Sequence, residues 1–459
     1  MTCLARPQAR TSKEQHPCRW IWSLSRRLCQ WTQRVRKAGL QLKALLSGSA
    51  IYLVASVLAA GLPFLLLPIL TRYLSPAEFG LVGIFQGLYI FFLATCGLSI
   101  AGAIVRQSYD VDREGIAVYI FNALLILAAT TSFFVVVIWA FGGQLSAWLQ
   151  IPPEYLYLAL VAAAMVFVLN ILLGQFQVGE QPVRYGVFQV GHSLLNISLS
   201  LVGVVILSAG AMGRVGGIVV AAIAAGLVAL LVLRRIGRLS PRFNSGDVKS
   251  ALRFGIPLLP HELGTFLLNW LSLFVLNTML SASHVGIYLL AFQVSMVLGV
   301  ICDAFNRAYV PWLFSILKTG DADDRASVVR LTYVYFGGLC VVVLLGFALS
   351  PWFVSLAFGR SYADAAWMIG WLLLGQALGG AYLMVTNYIV YARRTELLSA
   401  ITIFANAVNI IVLFTLVPAV GVAGAIIGFV LTRALIFLLT WACSVRLVAM
   451  PWLTPRVAQ

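Results

Sequence analysis

The sequence predicts an all-α, polytopic membrane protein: twelve transmembrane helices in two six-helix bundles related by a pseudo-twofold axis along the membrane normal. Three observations carry this expectation. Hydrophobic residues make up 61% of the 459-residue chain and charged residues only 10%, where a soluble globular chain carries about 25% charged residues. The chain also divides into twelve apolar stretches, each near the ~20 residues needed to cross ~30 Å of hydrocarbon. Finally, the two halves resemble each other. Leu74-Ser75-Pro76-Ala77-Glu78-Phe79-Gly80 aligns without gaps on Leu280-Ser281-Ala282-Ser283-His284-Val285-Gly286. Gln86 recurs as Gln293, Arg184 and Asn196 as Arg394 and Asn406, and Val215-Gly216-Gly217 as Val422-Ala423-Gly424. Six spans per half is an even number, so both halves enter the membrane in one orientation. That requirement sets the axis along the normal.

Residues 1–44 are polar and Arg-rich, with Trp20, Trp22 and Trp31, and lack the apolar core of a signal peptide. They read as a basic, disordered cytoplasmic extension. The first bundle covers 45–233, with spans near 50–70, 81–105, 116–141, 155–176, 186–208 and 215–233. Pro63 and Pro68 break its first apolar run, and a polar turn of ten residues, carrying Glu78, separates that run from the next. Asp110-Val111-Asp112 matches the DxD metal motif of many glycosyltransferases. It lies in a ten-residue loop that cannot supply a nucleotide-sugar domain, so it reads as solvated loop. The cytoplasmic linker 234–254 carries six basic residues plus Pro241, Asn244, Ser245 and Gly246, and is expected to let the bundles move against each other. The second bundle covers 255–445, with spans near 255–280, 285–305, 331–350, 366–391, 397–417 and 422–443. Pro257 and Pro260 open it and free backbone carbonyls inside the membrane. Phe305–Trp312 reads as an interfacial segment with aromatic anchors, Lys318–Arg330 as a polar loop, and 446–459 as a cytoplasmic tail.

The net charge of +16 follows the positive-inside rule and needs no nucleic-acid partner. With the N-terminus in the cytoplasm, all but four of the 31 lysines and arginines fall on inner segments. The outer loops carry Arg72, Arg214 and Arg360, and Arg433 lies inside the last span. Both termini are therefore cytoplasmic. Of seven cysteines, three sit in the tail and four in spans, none at CxxC spacing, so neither a disulfide framework nor a metal site is indicated. The chain holds no HExxH, Walker A or GxSxG motif, and it is expected not to be an enzyme.

Pro63–Gln86, the run Gly255–His261 with its sequel Gly286-Ile287-Tyr288, and the loop Gln181–Tyr185 resemble the polysaccharide-biosynthesis (Wzx-like) oligosaccharide flippases. These belong to the multidrug/oligosaccharidyl-lipid/polysaccharide exporter (MOP) superfamily. The resemblance covers residues ~45–445 and includes the twelve spans. Many members carry an Asp-Arg pair in the seventh span, near where this chain has Ser272-Leu273. The resemblance implies a transporter in the bacterial inner membrane that flips a polyprenyl-pyrophosphate-linked oligosaccharide to the periplasmic face. It implies no cofactor, H+ or Na+ as coupling ion, and lipid-linked oligosaccharide, membrane lipids and polysaccharide polymerase or assembly proteins as partners. A bare pyrophosphate in hydrocarbon costs tens of kcal/mol by Born estimates, so intramembrane charges are the candidate ligands.

Arg433, near the midplane, is a candidate phosphate or sugar ligand, weighed against a contact within the second bundle. Asp303 and Arg307, four apart on one helix face, are a candidate latch and head-group ligand, weighed against a plain ion pair. Arg72 is a candidate at the outer mouth, weighed against snorkelling to the interface. His261 and Glu262 are candidate coupling groups, weighed against an interfacial pair capping the seventh helix. The rival functions are a multidrug antiporter of the same superfamily, a peptidoglycan lipid flippase, and a membrane glycosyl polymerase or ligase.

Overall fold

A computed structural model describes residues 52, 54–59, 61–319 and 322–452, so the extension 1–44 and the end of the tail lie outside the described residues. Among the described residues there is no strand, and twelve helices are long and apolar enough to cross a membrane. The first half comprises α1 (Val54–Tyr73), α2 (Pro76–Gly97), α3 (Ile100–Gln107), α4 (Arg113–Leu149), α5 (Glu154–Val178), α6 (Pro182–Leu201) and α7 (Gly210–Arg235). After α8 (Ser245–Gly255) come α9 (Leu259–Met279), α10 (Ala282–Thr319), α11 (Ala322–Ala357), α12 (Ala365–Tyr391), α13 (Thr395–Val420) and α14 (Val422–Leu447).

The spans fall where hydropathy puts them, but their ends do not. The ten-residue turn expected before the second span shrinks to Leu74-Ser75. Ser75 caps α2: its hydroxyl accepts from the Glu78 N–H, the Glu78 carboxylate accepts from the Ser75 N–H at 2.9 Å, and Pro76 opens the helix. Glu78 is thus a helix residue, not a loop residue. Helix α1 runs through Pro63 and Pro68 without a break. Pro63 has no N–H for the Ala59 carbonyl, and the Ser193 hydroxyl of α6 donates to that carbonyl instead, at 3.1 Å. The second span, expected unbroken to residue 105, stops at Leu98 and Ser99, both left-handed (φ 45° and 53°). Thr130 of α4 donates to the freed Cys96 carbonyl at 2.8 Å. Helix α10 carries the Phe305–Trp312 segment as helix and continues through Pro311 to Thr319. Residues 322–330, expected as loop, are the first turns of α11.

The linker also differs from expectation. Its second part is α8, which leads through a 3₁₀ turn (Ile256–Leu258) into α9. Its first part is strapped to α4. Ser240 donates its N–H to the Ala117 carbonyl, and Asn122 both donates to the Arg242 carbonyl and accepts from the Asn244 N–H. Arg242 pairs with Glu114 at 2.6 Å. A segment held this way is no free tether.

Packing repeats between the halves. In the first, α2 lies on α5, α5 on α7, and α7 on α6; in the second, α10 lies on α12, α12 on α14, and α14 on α13. Large apolar side chains on α4 and α11, Trp139 and Trp352 among them, stay exposed, as lipid-facing surface should. The halves meet chiefly where α2 crosses α10. There Gly80 faces the Ala282 carbonyl and Gly286 faces the Pro76 carbonyl, so closely that a Cβ on either would strike backbone. Gln293 donates to Gln86 at 3.5 Å further along the same crossing. Two more ties close that end: the Tyr362 hydroxyl donates to the Leu74 carbonyl at 3.0 Å, and Asn277 donates to the Leu149 carbonyl.

Gly80→Val should therefore lower stability by about 1–3 kcal/mol, the usual cost of overpacking, read as a fall in thermal midpoint of the purified protein. Gly337→Ala, where a Cβ meets nothing within 4 Å, should leave the midpoint unchanged.

Candidate functional site

Two cavities lie between the halves, stacked along α10. The larger, about 370 Å³, is lined by Ser56 and Val57 of α1, Asn269 of α9, Asp303 and Arg307 of α10, Gln376 of α12 and Arg433 of α14. The smaller, about 210 Å³, lies toward the closed end and includes Gln86, Arg214, Trp270 and Gln293. Met296 lines both and divides them.

Helix α14 carries Arg433 inward on the face that also buries Phe429, Thr432 and Ile436. Its guanidinium is poorly satisfied. Nη2 donates to Asn269 Oδ1 at 3.1 Å, the group sits 5.3 Å over the Phe429 ring, and Nε is buried without a partner. A guanidinium has five N–H donors. Gly379 of α12 lies beside it, where a Cβ would stand in ordinary contact with Nη1 at 3.5 Å. Gln376 approaches α10 where Gly299 leaves room for its amide oxygen. The cavity thus presents one under-satisfied cation and two amide side chains inside the membrane.

Asp303 and Arg307 form an ion pair in which Nε and Nη2 both donate to the one oxygen Oδ2, at 3.0 and 2.8 Å. Their side chains are 51% and 68% exposed, so they stand at the open mouth. The ion pair weighed from sequence is present, and both side chains also line the larger cavity.

The other candidates are elsewhere. Arg72 is exposed at the far end of α1, outside both cavities. His261 and Glu262 are exposed and line neither cavity. They do not cap a helix start, because the chain enters α9 already helical from Ile256.

Arg214, counted from sequence as an outer-loop residue, lies in α7 and is buried. It donates to Asn196 at 2.6 Å and to the Ser200 hydroxyl. The misplacement came from starting the sixth span at residue 215, when the helix begins at Gly210. Asn269 and Gln376 were missed outright, although an amide in the middle of an apolar span was the available signal. The recurring Gln86, Gln293, Asn196 and Asn406 all make interhelical hydrogen bonds, the last to the Gly264 carbonyl. The Asp110-Val111-Asp112 motif is explained locally: Asp112 caps α4, accepting from the Gly115 N–H at 2.8 Å.

Two helical halves around a polar, cation-bearing cavity make a multi-pass membrane fold, one that solved transporters of the MOP superfamily share. A solved inward-facing multidrug-resistance MATE transporter of that superfamily superposes with a TM-score of 0.62 at 17% identity, covering 86% of this chain and 94% of its own. The chain belongs to the polysaccharide biosynthesis protein family, whose model matches residues 45–317. Among relatives, an uncharacterized membrane protein of Haemophilus influenzae is 26% identical over 80% of this chain and 88% of its own. A succinoglycan biosynthesis transport protein of Rhizobium meliloti is 24% identical (86% and 77%), and a probable low-salt glycan biosynthesis flippase of Haloferax volcanii 20% (83% and 79%).

In a cysteine-free background, Ala304→Cys at the cavity wall should react with a hydrophilic maleimide, while Ile84→Cys in the closed packing should not. Mass spectrometry of the labelled protein reads both. An unreactive Ala304→Cys would mean that the mouth is not open to water.

Proposed function

We propose that this protein flips a polyprenyl-pyrophosphate-linked oligosaccharide repeat unit from the cytoplasmic to the periplasmic face of the bacterial inner membrane, for surface or secreted polysaccharide. The observation that carries this reading is Arg433, a cation inside the membrane with most of its donors unfilled, in a cavity whose fixed charges are two cations and one carboxylate. An anionic head group suits that wall and a cationic drug does not. The multidrug-antiporter reading has only the fold likeness behind it. The names of the glycan flippase and succinoglycan transport relatives support the same kind of cargo.

The mechanism is alternating access between two halves related by a pseudo-twofold axis along the membrane normal. The reciprocal packing of Gly80 and Gly286 supports that symmetry. The distribution of lysine and arginine assigns the closed end to the periplasm and the mouth to the cytoplasm. A head group enters past Asp303 and Arg307, its pyrophosphate takes the planar fork of Arg433, and its sugars meet Asn269 and Gln376. The lipid tail stays in the bilayer. Separation of α2 from α10 then opens the path through the smaller cavity, past Gln86 and Gln293. Protonation of Asp303, or a sodium ion held there, frees Arg307 and resets the empty carrier. The delivered unit passes to polymerase and assembly proteins at the outer face.

Proteoliposomes loaded with lipid-linked oligosaccharide, read by access of a glycosidase to the sugars, test this. Arg433→Gln should slow flipping roughly 10- to 100-fold, the range of a lost charge-assisted hydrogen bond of about 1.5–3 kcal/mol. No sugar exposure by the unaltered protein would sink the proposal. Moving a charge near −2 outward gains about 4–5 kcal/mol per 100 mV across the full field. Collapse of an inside-negative potential should therefore slow the step, and an unchanged rate would exclude net outward charge movement.

A further inference from the structure

A second basic site lies outside the central cavity, where α8 meets α3 and α4. Arg106 of α3, and Lys249, Ser250 and Arg253 of α8, line a recess of about 500 Å³. Lys249 and Arg253 stand four apart on one helix face, a spacing at which like charges destabilise a helix. Among the described residues none of the three cations has an ion pair or a side-chain hydrogen bond. The neighbouring carboxylates are used elsewhere: Glu114 pairs with Arg242, and Asp112 caps α4. The protein thus gathers three cations against one nearby carboxylate, Asp247 of α8, which stands close to Tyr119 in the recess wall.

The other flank of α8 is apolar. Phe243, Val248, Leu252, Ile256 and Pro257 line a groove of about 530 Å³ that shares Lys249 and Arg253 with the basic recess. Phe243 and Ile256 are 71% and 52% exposed. This groove leads directly into the span α9, so it lies at the membrane boundary. A cationic recess joined through two shared side chains to an apolar groove matches one kind of molecule, a lipid with a phosphate at its head.

The geometry points to α8 as a binding site for a lipid-borne phosphate: Arg106, Lys249 and Arg253 hold the phosphate while the hydrocarbon chain lies along Leu252 and Ile256. The site is built before the lipid arrives, because the Asn122 and Arg242 contacts already fix the start of α8 on α4. It does not depend on what the central cavity carries. Two lipid sources share this chemistry, an anionic phospholipid of the leaflet and a polyprenyl phosphate.

Native mass spectrometry of the full-length protein in detergent tests the site, with phosphatidylglycerol, undecaprenyl phosphate, phosphatidylcholine and inorganic phosphate as probes. One or both anionic lipids should bind, and the tighter of the two identifies the source. Each basic side chain near a membrane surface contributes about fivefold. Arg106→Gln/Lys249→Gln/Arg253→Gln should accordingly weaken anionic-lipid binding by about 100-fold, while the control Arg234→Gln/Arg235→Gln, which removes two cations elsewhere in the chain, should not. Arg106→Lys/Arg253→Lys should retain binding. Leu252→Gln/Ile256→Gln, which keeps every charge, should weaken the lipid as well, and it stands in if the triple variant fails to fold. Repeating the titration with Arg433→Gln separates this site from the central one, since binding at α8 should persist. Undiminished binding by the triple variant, or inorganic phosphate displacing the lipid at equal concentration, would overturn the assignment.

Discussion

Two backbones that touch across the centre of the molecule are the constraint on which the rest of this structure depends. In hydrocarbon there is no hydrophobic force to hold one helix against another. Association rests on close packing and on hydrogen bonds between helices. Gly80 and Gly286 provide the first, each facing the other helix's backbone with no room for a Cβ. Gln86 with Gln293, Tyr362 with Leu74, and Asn277 with Leu149 provide the second. All lie in one region, so the halves are closed at one end and diverge toward the other. The cavity is the space left by that divergence.

The same medium that withholds a hydrophobic force makes a charge expensive, at ~2.5–3.5 kcal/mol per group on the insertion scale. The two buried arginines meet that cost differently. Arg214 is tied to Asn196 and Ser200, and Ser200 is itself fully buried. It joins α7 to α6, although it too lines a cavity, the smaller one, and leaves Nε buried without a partner. Arg433 has one amide and an aromatic face, and stands beside a cavity. A cation left so incomplete keeps its hydration needs for whatever enters. The proposed function takes Arg433 as the ligand because it lies mid-helix in the larger cavity with one hydrogen bond, where Arg214 lies in the first turns of α7 with two.

Much of this was legible in the sequence because hydrocarbon simplifies the problem. Every backbone N–H and C=O must be satisfied within the segment, so an apolar run of sufficient length has to be helix, and twelve runs became twelve helices. The alignment of Gly80 with Gly286 marked the repeat, but not that these two glycines meet where α2 crosses α10. Helix ends were less legible, because polar residues continue a helix as readily as they leave one. Residues 322–330 and the start of α8 show this, and Arg214 was misassigned for the same reason. The walls of the cavity were legible only in part. Asp303, Arg307 and Arg433 stand out by charge, whereas Asn269 and Gln376 become site residues only because α9 and α12 happen to face α14 and α10.

A movement of the halves has to bend where the backbone is already irregular. The linker cannot be the flexible part, because Ser240, Arg242 and Asn244 are fastened to α4. Two irregular places remain near the mouth: the left-handed pair Leu98-Ser99 between α2 and α3, and the 3₁₀ turn Ile256–Leu258 between α8 and α9. They are in contact, for Gly255 lies against the Leu98 carbonyl with no space for a Cβ. Helix α8 therefore travels with the first half, while α9 packs on both, against α2 and α4 on one side and α13 and α10 on the other. On the alternating-access reading, the pivot is this meeting of two broken helices, where Pro257 has no N–H to give the Arg253 carbonyl.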